Sequence, residues 1–211
     1  MPHNPSHRPT DRLLIGIAGG SASGKTTLAR SIFSLSPNDV TLIELDRFYH
    51  PLTQGVDADS KNYDHPSALD FELLRSVCDD IQNQSSTKLP IYDFTKHDRV
   101  GMEEITPRSM VIIEGILAFW DRGIQALFQQ KLFVDTPAKI RFERRLRRDC
   151  EERGRDIQSV TKQWRETVEP MHDQYVRATQ HHADQTIDGT SDLNLVATNL
   201  IRAWNSRGKK Q

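Results

Sequence analysis

The run Gly19-Gly20-Ser21-Ala22-Ser23-Gly24-Lys25-Thr26 constrains this chain more than any other, because it satisfies G-x-x-x-x-G-K-[ST] at every position. Leu13 to Ala18 before it reads as a buried strand, and Thr27 to Phe33 after it as a helix. A loop with so little side chain lets successive backbone N–H groups and a helix N-terminus wrap a polyphosphate. Lys25 then reaches the β- and γ-phosphates, and the Thr26 hydroxyl is placed to ligate Mg²⁺. The pattern predicts a nucleotide site formed by Gly19, Gly20, Ser21, Ala22, Ser23, Gly24, Lys25, Thr26 and Thr27. It does not name the phosphoryl acceptor.

Chain length supports one α/β domain, expected over residues 13–205, with loose tails at 1–12 and 206–211. The 28 basic residues nearly cancel the 29 acidic ones, so no global field attracts nucleic acid. No run approaches the roughly 20 apolar residues of a membrane span, and the first twelve residues lack a signal-peptide core. A cytoplasmic protein without membrane or nucleic-acid partners is expected. Cys78 and Cys150 are far apart and without metal-type spacing, which fits reduced structural thiols. His181-His182-x-Asp184 reads as a polar surface turn, since adjacent helical histidines point about 100° apart.

Along the chain, Val40 to Leu45 is the second expected parallel strand, with Asp46 at its carboxyl end. Ligands bind at that edge of an open α/β sheet, so Asp46 should face the phosphates. Ser67-x-x-Asp70 resembles a capping box for a helix whose apolar face is Leu69, Leu73, Leu74, Val77 and Ile81. Leu89 to Phe94 and Glu103 to Thr106 read as a hairpin joined by a charged turn, an insertion suited to a substrate flap. Met110 to Gly115 is an apolar strand ending in the acid Glu114, and Lys131 to Asp135 repeats that form. Gln185 to Asp188 should be the last strand, and Asp192 to Asn205 a closing helix.

Pro137 can open a helix in which Arg141, Arg145 and Arg148 stand at i, i+4 and i+7, on one face. Such a run is ordinarily solvated. Acids look scarce on the stripe, however, and the domain already handles a polyphosphate, which favours a lid closing over the transferred group. Arg153-Gly154-Arg155-Asp156 breaks the helix before a second one at 157–179. Thr95-Lys96-His97-Asp98 matches the guanine-reading pattern of GTPases, but the required D-x-x-G is not upstream of it; the match reads as chance.

Several blocks in order, Asp46-Arg47-Phe48-Tyr49, Asn62-Tyr63-Asp64-His65-Pro66, Pro90-Ile91-Tyr92-Asp93-Phe94 with His97 and Arg99, Ile113-Glu114-Gly115-Ile116-Leu117, Arg144-Arg145-x-x-Arg148-Asp149 and Glu152-Arg153-Gly154-Arg155, resemble the uridine-cytidine kinases. The resemblance runs from about Leu14 to Asp188. It implies a P-loop-type wound parallel sheet with a hairpin flap and an arginine-rich helical lid. It also implies transfer of the γ-phosphoryl of ATP or GTP to the 5′-hydroxyl of uridine or cytidine, the chemistry of pyrimidine salvage.

By matching position, Asp46 would be the catalytic carboxylate, assisted by Lys25, Arg145 and Arg148. Asp64 and Arg155 would hold the ribose; Tyr92, Phe94 and His97 would enclose the base, and Gln163 would contribute to that site. Thr26, Asp46 and Glu114 would surround Mg²⁺. The resemblance further implies a homo-oligomer, a tetramer, and feedback inhibition by pyrimidine triphosphates. Read as residues alone, Asp64 has the alternative of forming a turn, Tyr92 and Phe94 that of being hairpin core, and Glu114 that of being a buried structural acid. Ala178-Thr179-Gln180-His181-His182 departs from the family's Pro-Ser/Thr-Lys-like run before Ala-Asp. Two other readings keep the loop: a kinase for another hydroxylated metabolite, and a nucleotide-dependent switch with no acceptor.

Overall fold

The computed structural model describes residues 12–52 and 61–207. The two predicted tails fall almost wholly outside that range. Arg12, assigned to the first tail, is held by a hydrogen bond from its Nη1 to the Ile81 carbonyl at 3.0 Å. Residues 206 and 207 are helical.

Five parallel strands form the central sheet: β1 (Leu13–Gly19), β2 (Val40–Glu44), β5 (Met110–Glu114), β6 (Gln130–Asp135) and β7 (Gln185–Asp188). Their spatial order is β2-β5-β1-β6-β7. Parallel strands are buried on both faces, which is why β1 and β5 read as unbroken apolar runs. Leu14, Ala18, Val111 and Ile113 serve the core on one face; Ile15, Ile17, Met110 and Ile112 serve the other. Helices α1 (Lys25–Leu35) and α7 (Leu193–Arg207) pack on the second face, while α2 (Phe71–Gln82) and α3 (Arg122–Leu127) cover the first.

Beyond β6, α4 (Ala138–Glu151) carries the arginines. After Gly154, whose φ of 65° only glycine adopts without strain, a second helical stretch begins with α5 (Ile157–Gln163). It continues through a π turn at Trp164–Val168, the one-turn α6 (Glu169–Met171), a second π turn at His172–Val176 and a 3₁₀ segment at Arg177–His182. The departing Ala178 to His182 run lies in that last segment. Π turns of this kind are uncommon and often accompany functional sites.

The hairpin pairs β3 (Thr87–Asp93) with β4 (Asp98–Ile105), antiparallel, with a bulge between Ile91 and Tyr92. Its turn holds the guanine-pattern look-alike: Asp93 accepts from the Thr95 amide and hydroxyl, a local Asx turn. The expected capping box is corrected. Asp70 is itself the N-cap of α2, accepting from Leu73 N at 2.9 Å, while Ser67 belongs to a 3₁₀ turn capped by His65. Asp70 also accepts from Arg99 Nη1 at 3.0 Å, and Arg99 donates on to the Phe48 and Tyr49 carbonyls. Hairpin, helix start and the segment after β2 are thus tied by one guanidinium.

Asp70→Ala removes a cap and a charge-assisted bond together, and should cost about 2 kcal/mol in urea unfolding. A loss below about 0.5 kcal/mol would show that this tie carries little of the fold's stability.

Candidate active site

Gly24, the residue before α1, has φ 105°, and no side chain caps the helix. The first-turn N–H groups are therefore left pointing out of the carboxyl edge of the sheet, the arrangement that attracts anions. The loop is fixed from behind: Thr136 Oγ1 donates to the Ser23 carbonyl at 2.8 Å, and Arg144 bridges the carbonyls of Ser23 and Gly189. A Cβ on Gly20 would lie 2.8 Å from Arg141 Nη1 and 2.9 Å from His172 Nδ1, so any other residue here would have to displace one of those side chains.

Acids converge on the same edge. Glu114 ends β5, in register with Ile17 of β1 and Glu44 of β2, and Thr26 Oγ1 donates to its Oε1 at 2.8 Å. Its other oxygen is buried without a hydrogen-bond partner. Burial raises the Glu114 carboxyl, Lys25 pulls it down, and Asp46 pushes it up again. Asp46 lies in a 3₁₀ turn (Leu45–Phe48) just past β2 and is exposed rather than turned into the core. Protein crowding on its flanks raises its carboxyl too, opposed first by Lys25. Since it keeps contact with water, that rise concerns its readiness to take a proton more than the stability of the fold. Asp64 is 6% exposed; burial raises it, and Arg145 opposes.

Beside these acids stands an aromatic cluster that sequence reasoning saw only in part. Tyr49 is its hub, with ring centroids 5.1 Å from Tyr63, 5.7 Å from Tyr92 and 6.3 Å from Phe94. Tyr92 is buried and Phe94 half exposed, and their rings meet edge to face. His97 adjoins Tyr63, whose hydroxyl lies 2.6 Å from its Nδ1. Burial lifts the Tyr49 phenol well above the ordinary range, and the Asp46 and Asp64 charges add to that. A tyrosine between two acids at a strand edge was the available signal.

The arginine helix departs from expectation in two respects. Arg141 is 1% exposed and structural: it bonds the Thr136 carbonyl and Glu169 and stacks on Trp164. Arg145 reaches the phosphate loop, donating to Ser21 Oγ at 2.9 Å, and its other nitrogen donates to Gln163. Gln163 Oε1 also accepts from Arg155, which is further bonded to Ser159. Acids are not scarce here. Asp149, fully buried, has Arg145, Arg148, Arg153 and Arg155 all within 4 Å. The i, i+4 spacing of Arg145 and Asp149 was legible; the return of Arg153 and Arg155 around Gly154 was not.

Oxygen donors only, one of them a buried carboxylate oxygen with nothing to bond, make Thr26, Asp46 and Glu114 fit a hard cation such as Mg²⁺. Neither cysteine approaches this region's chemistry: Cys78 sits in the core with its thiol pushed up by burial to about 12, and Cys150 is half-buried and free. Among the described residues, no helix is long and apolar enough to cross a membrane.

The model of the Phosphoribulokinase / Uridine kinase family matches residues 14–196. The chain belongs to that family. It is 41% identical over 193 residues to a uridine kinase of Halobacterium salinarum, covering 89% of this chain and 84% of that protein. It is 44% identical over 193 residues to the mouse protein uridine-cytidine kinase-like 1, again over 89% of this chain, and spans 35% of that longer relative. Among solved structures, phosphoribulokinase from Rhodobacter spheroides superposes with a TM-score of 0.64 at 14% identity, over 86% of this chain and 74% of that one. This last likeness bears on the fold alone. Family membership makes the wound sheet and its phosphate loop those of a kinase with a nucleotide phosphate donor.

Two predictions follow from the site's electrostatics. Replacing Asp149 by Asn strands four guanidinium groups around a neutral residue, and unfolding stability should fall by about 3 kcal/mol or more. A change under about 1 kcal/mol would mean that solvent, not Asp149, balances them. His172 is 5% exposed, and burial, then Arg141, push its imidazole down to about 4. The unfolded chain, near 6.5, binds a proton that the native state refuses. Its contribution is therefore complete above pH 6.5 and is lost as pH falls to 4, at roughly 1.4 kcal/mol per unit at most. His172→Gln should flatten that window in urea melts; an unchanged slope would show the acid sensitivity lies elsewhere.

Proposed function

We propose that this chain transfers the γ-phosphoryl of ATP, or GTP, to the 5′-hydroxyl of uridine or cytidine, giving UMP or CMP. The observation that carries the reading is the shared edge on which the loop with Lys25, the acids Asp46 and Asp64, and the aromatic cluster of Tyr49, Tyr63, Tyr92 and Phe94 face one another. A phosphate grip alone would fit any P-loop protein. Aromatic rings set directly beside two carboxylates fit an acceptor with a flat base at one end and hydroxyls at the other.

In this reading the N–H groups of the loop and Lys25 bind the donor's β- and γ-phosphates. Arg145 and Arg148 neutralise charge spread over the transferred group's equatorial oxygens, a role in which one arginine can be worth about 10³ to 10⁵ in rate. Thr26, Asp46 and Glu114 hold Mg²⁺, which when bound adds electrostatic stabilisation of the phosphate oxygens. Asp46 orients the 5′-hydroxyl and takes its proton late, as the new P–O bond forms. Even a raised carboxyl is too weak a base to deprotonate an alcohol beforehand, and the loose transition state asks for little nucleophilic push. The raised carboxyl of Asp46 suits that duty.

Asp64 accepts two hydrogen bonds from the vicinal ribose diol, with Arg155 alongside. Tyr92, Phe94 and His97 enclose the pyrimidine, and Gln163 holds Arg145 and Arg155 in position for both. The hairpin acts as a flap and α4 as a lid; closure keeps water from the γ-phosphate. A cytoplasmic, homo-oligomeric enzyme belongs to the same proposal.

A coupled ADP-release assay over a panel of nucleosides, ribulose phosphates and other small alcohols tests it. Turnover should depend on uridine or cytidine, and failure with both ends the reading. Asp46→Asn should lower kcat at least about 10³-fold while ATP still binds, measured by calorimetry. Retained turnover in that variant would remove Asp46 from the reaction.

A further inference from the structure

Two buried nitrogens stand behind the phosphate loop. Arg141 is pinned by the Thr136 carbonyl, by Glu169 and by the Trp164 ring, which leaves its Nη1 without a hydrogen-bond partner among the described residues. His172 Nδ1 is in the same condition, on a side chain 5% exposed. Both lie at Gly20: a Cβ built there would come 2.8 Å from Arg141 Nη1, 2.9 Å from His172 Nδ1 and 3.0 Å from His172 Cε1. Buried polar atoms left without bonds are uncommon and ask for a reason. Here the imidazole and the guanidinium close off the rear of the loop, one residue before Ser21, which Arg145 holds from α4.

His172 opens the π turn His172–Val176, and Tyr175 in the same turn meets a different partner. Its ring lies edge to face with His65, centroids 5.0 Å apart at 82°, and with Trp120, 5.0 Å apart at 87°. His65 is fixed in turn: its Nδ1 accepts from Ser67 N at 3.1 Å and lies 2.8 Å from Ser67 Oγ, capping the 3₁₀ turn Pro66–Ala68. Asp64, the carboxylate proposed above for the ribose, immediately precedes it, and its N–H donates to Asn62 Oδ1 at 3.0 Å. Asp64 is thus carried between an Asx turn and a ring that Tyr175 supports. In a regular α-helix residues three apart lie about 60° from one another around the axis. A π turn spreads them further, so one turn of chain can face the donor loop with one ring and the acceptor loop with another.

We propose that the π turn His172–Val176 is a positioning element with two ends: His172 sets the phosphate loop through Gly20, and Tyr175 sets Asp64 through His65. The Asp64 half rests on the nucleoside reading above and deepens it; the Gly20 half needs only the family's phosphate donor. In-line transfer requires the reacting atoms to be held about 3 to 3.5 Å apart, and an element that touches both loops fixes their separation.

Steady-state kinetics on the full chain test both ends, with ATP and then the faster-turning of uridine and cytidine as the varied substrate. His172→Ala should raise KM for ATP about tenfold and leave KM for the nucleoside within about twofold. Tyr175→Ala should do the reverse, again by about tenfold, the scale of two lost edge-to-face contacts. Gly20→Ala, which puts a methyl group where His172 stands, should also raise KM for ATP, and joined to His172→Ala it should cost less than the product of the two separate effects. Tyr175→Phe, which keeps the ring, should leave the nucleoside KM at the wild-type value. If circular dichroism shows an alanine variant unfolded at the assay temperature, the same split is read from His172→Asn and Tyr175→Leu. Both variants shifting the same constants, or either one leaving both constants unchanged, overturns the proposal, because lost stability does not sort the two substrates. A wild-type chain inert toward uridine and cytidine removes the nucleoside reading itself, whereas an active one without the split removes only this inference.

Discussion

The uncapped first turn of α1 is the constraint to which the rest of the structure answers. A helix start normally finds a side chain for its free N–H groups; here Gly24 supplies none, and the strand, the Thr136 hydroxyl and Arg144 hold the loop so that those groups face outward. Unpaired donors at the edge of a buried sheet are costly unless an anion or water meets them. The fold accepts that local cost because two apolar faces, packed on both sides of β1 and β5, stabilise it elsewhere.

Charge around the loop is arranged in opposition rather than in excess. Asp64 and Glu114 are buried and raised by loss of solvent, Asp46 stays exposed and is raised by the protein packed on its flanks, and Lys25 opposes the rise at all three. Arg145 suffers the reverse penalty, lowered by its own burial, and rests between Ser21 of the loop and the Asp149 carboxylate. Asp149 is the pivot of the basic side: with no exposed surface, it lets four arginines gather next to a phosphate site without repelling one another apart.

Much of this was legible in the residues. The phosphate loop, the acid after β2 and the acid closing β5 were identifiable because each sits where a parallel strand ends, and a strand that is apolar on both faces declares itself. The α2 helix was found from its apolar spacing, but its cap was misassigned. Ser67 and Asp70 both suit a cap, and only the 3₁₀ turn that consumes Ser67 decides between them. Arg141 shares its helical face with Arg145, and periodicity cannot say that one points at Glu169 and Trp164 while the other points at Ser21. His172 carried no motif of its own, and Tyr49 stood in a recognisable block that said nothing of its place as hub of the aromatic cluster, since the part of each depends on elements far away in the chain.

Sequence by itself determined the class of fold, the phosphate grip and the family, because those follow from local spacing: glycines that free the backbone, a lysine one residue past the last of them, and apolar runs too continuous for a half-exposed strand. Tertiary structure alone decided which side chains meet. The turn at Gly154 brings Arg153 and Arg155 back onto Asp149, the π-widened helix delivers His172 to Gly20, and the hairpin sets His97 against Tyr63. The physical reason is that charge neutralisation, burial and hydrogen-bond direction act through space over a few ångströms, between residues that lie tens of positions apart and leave no shared period to read.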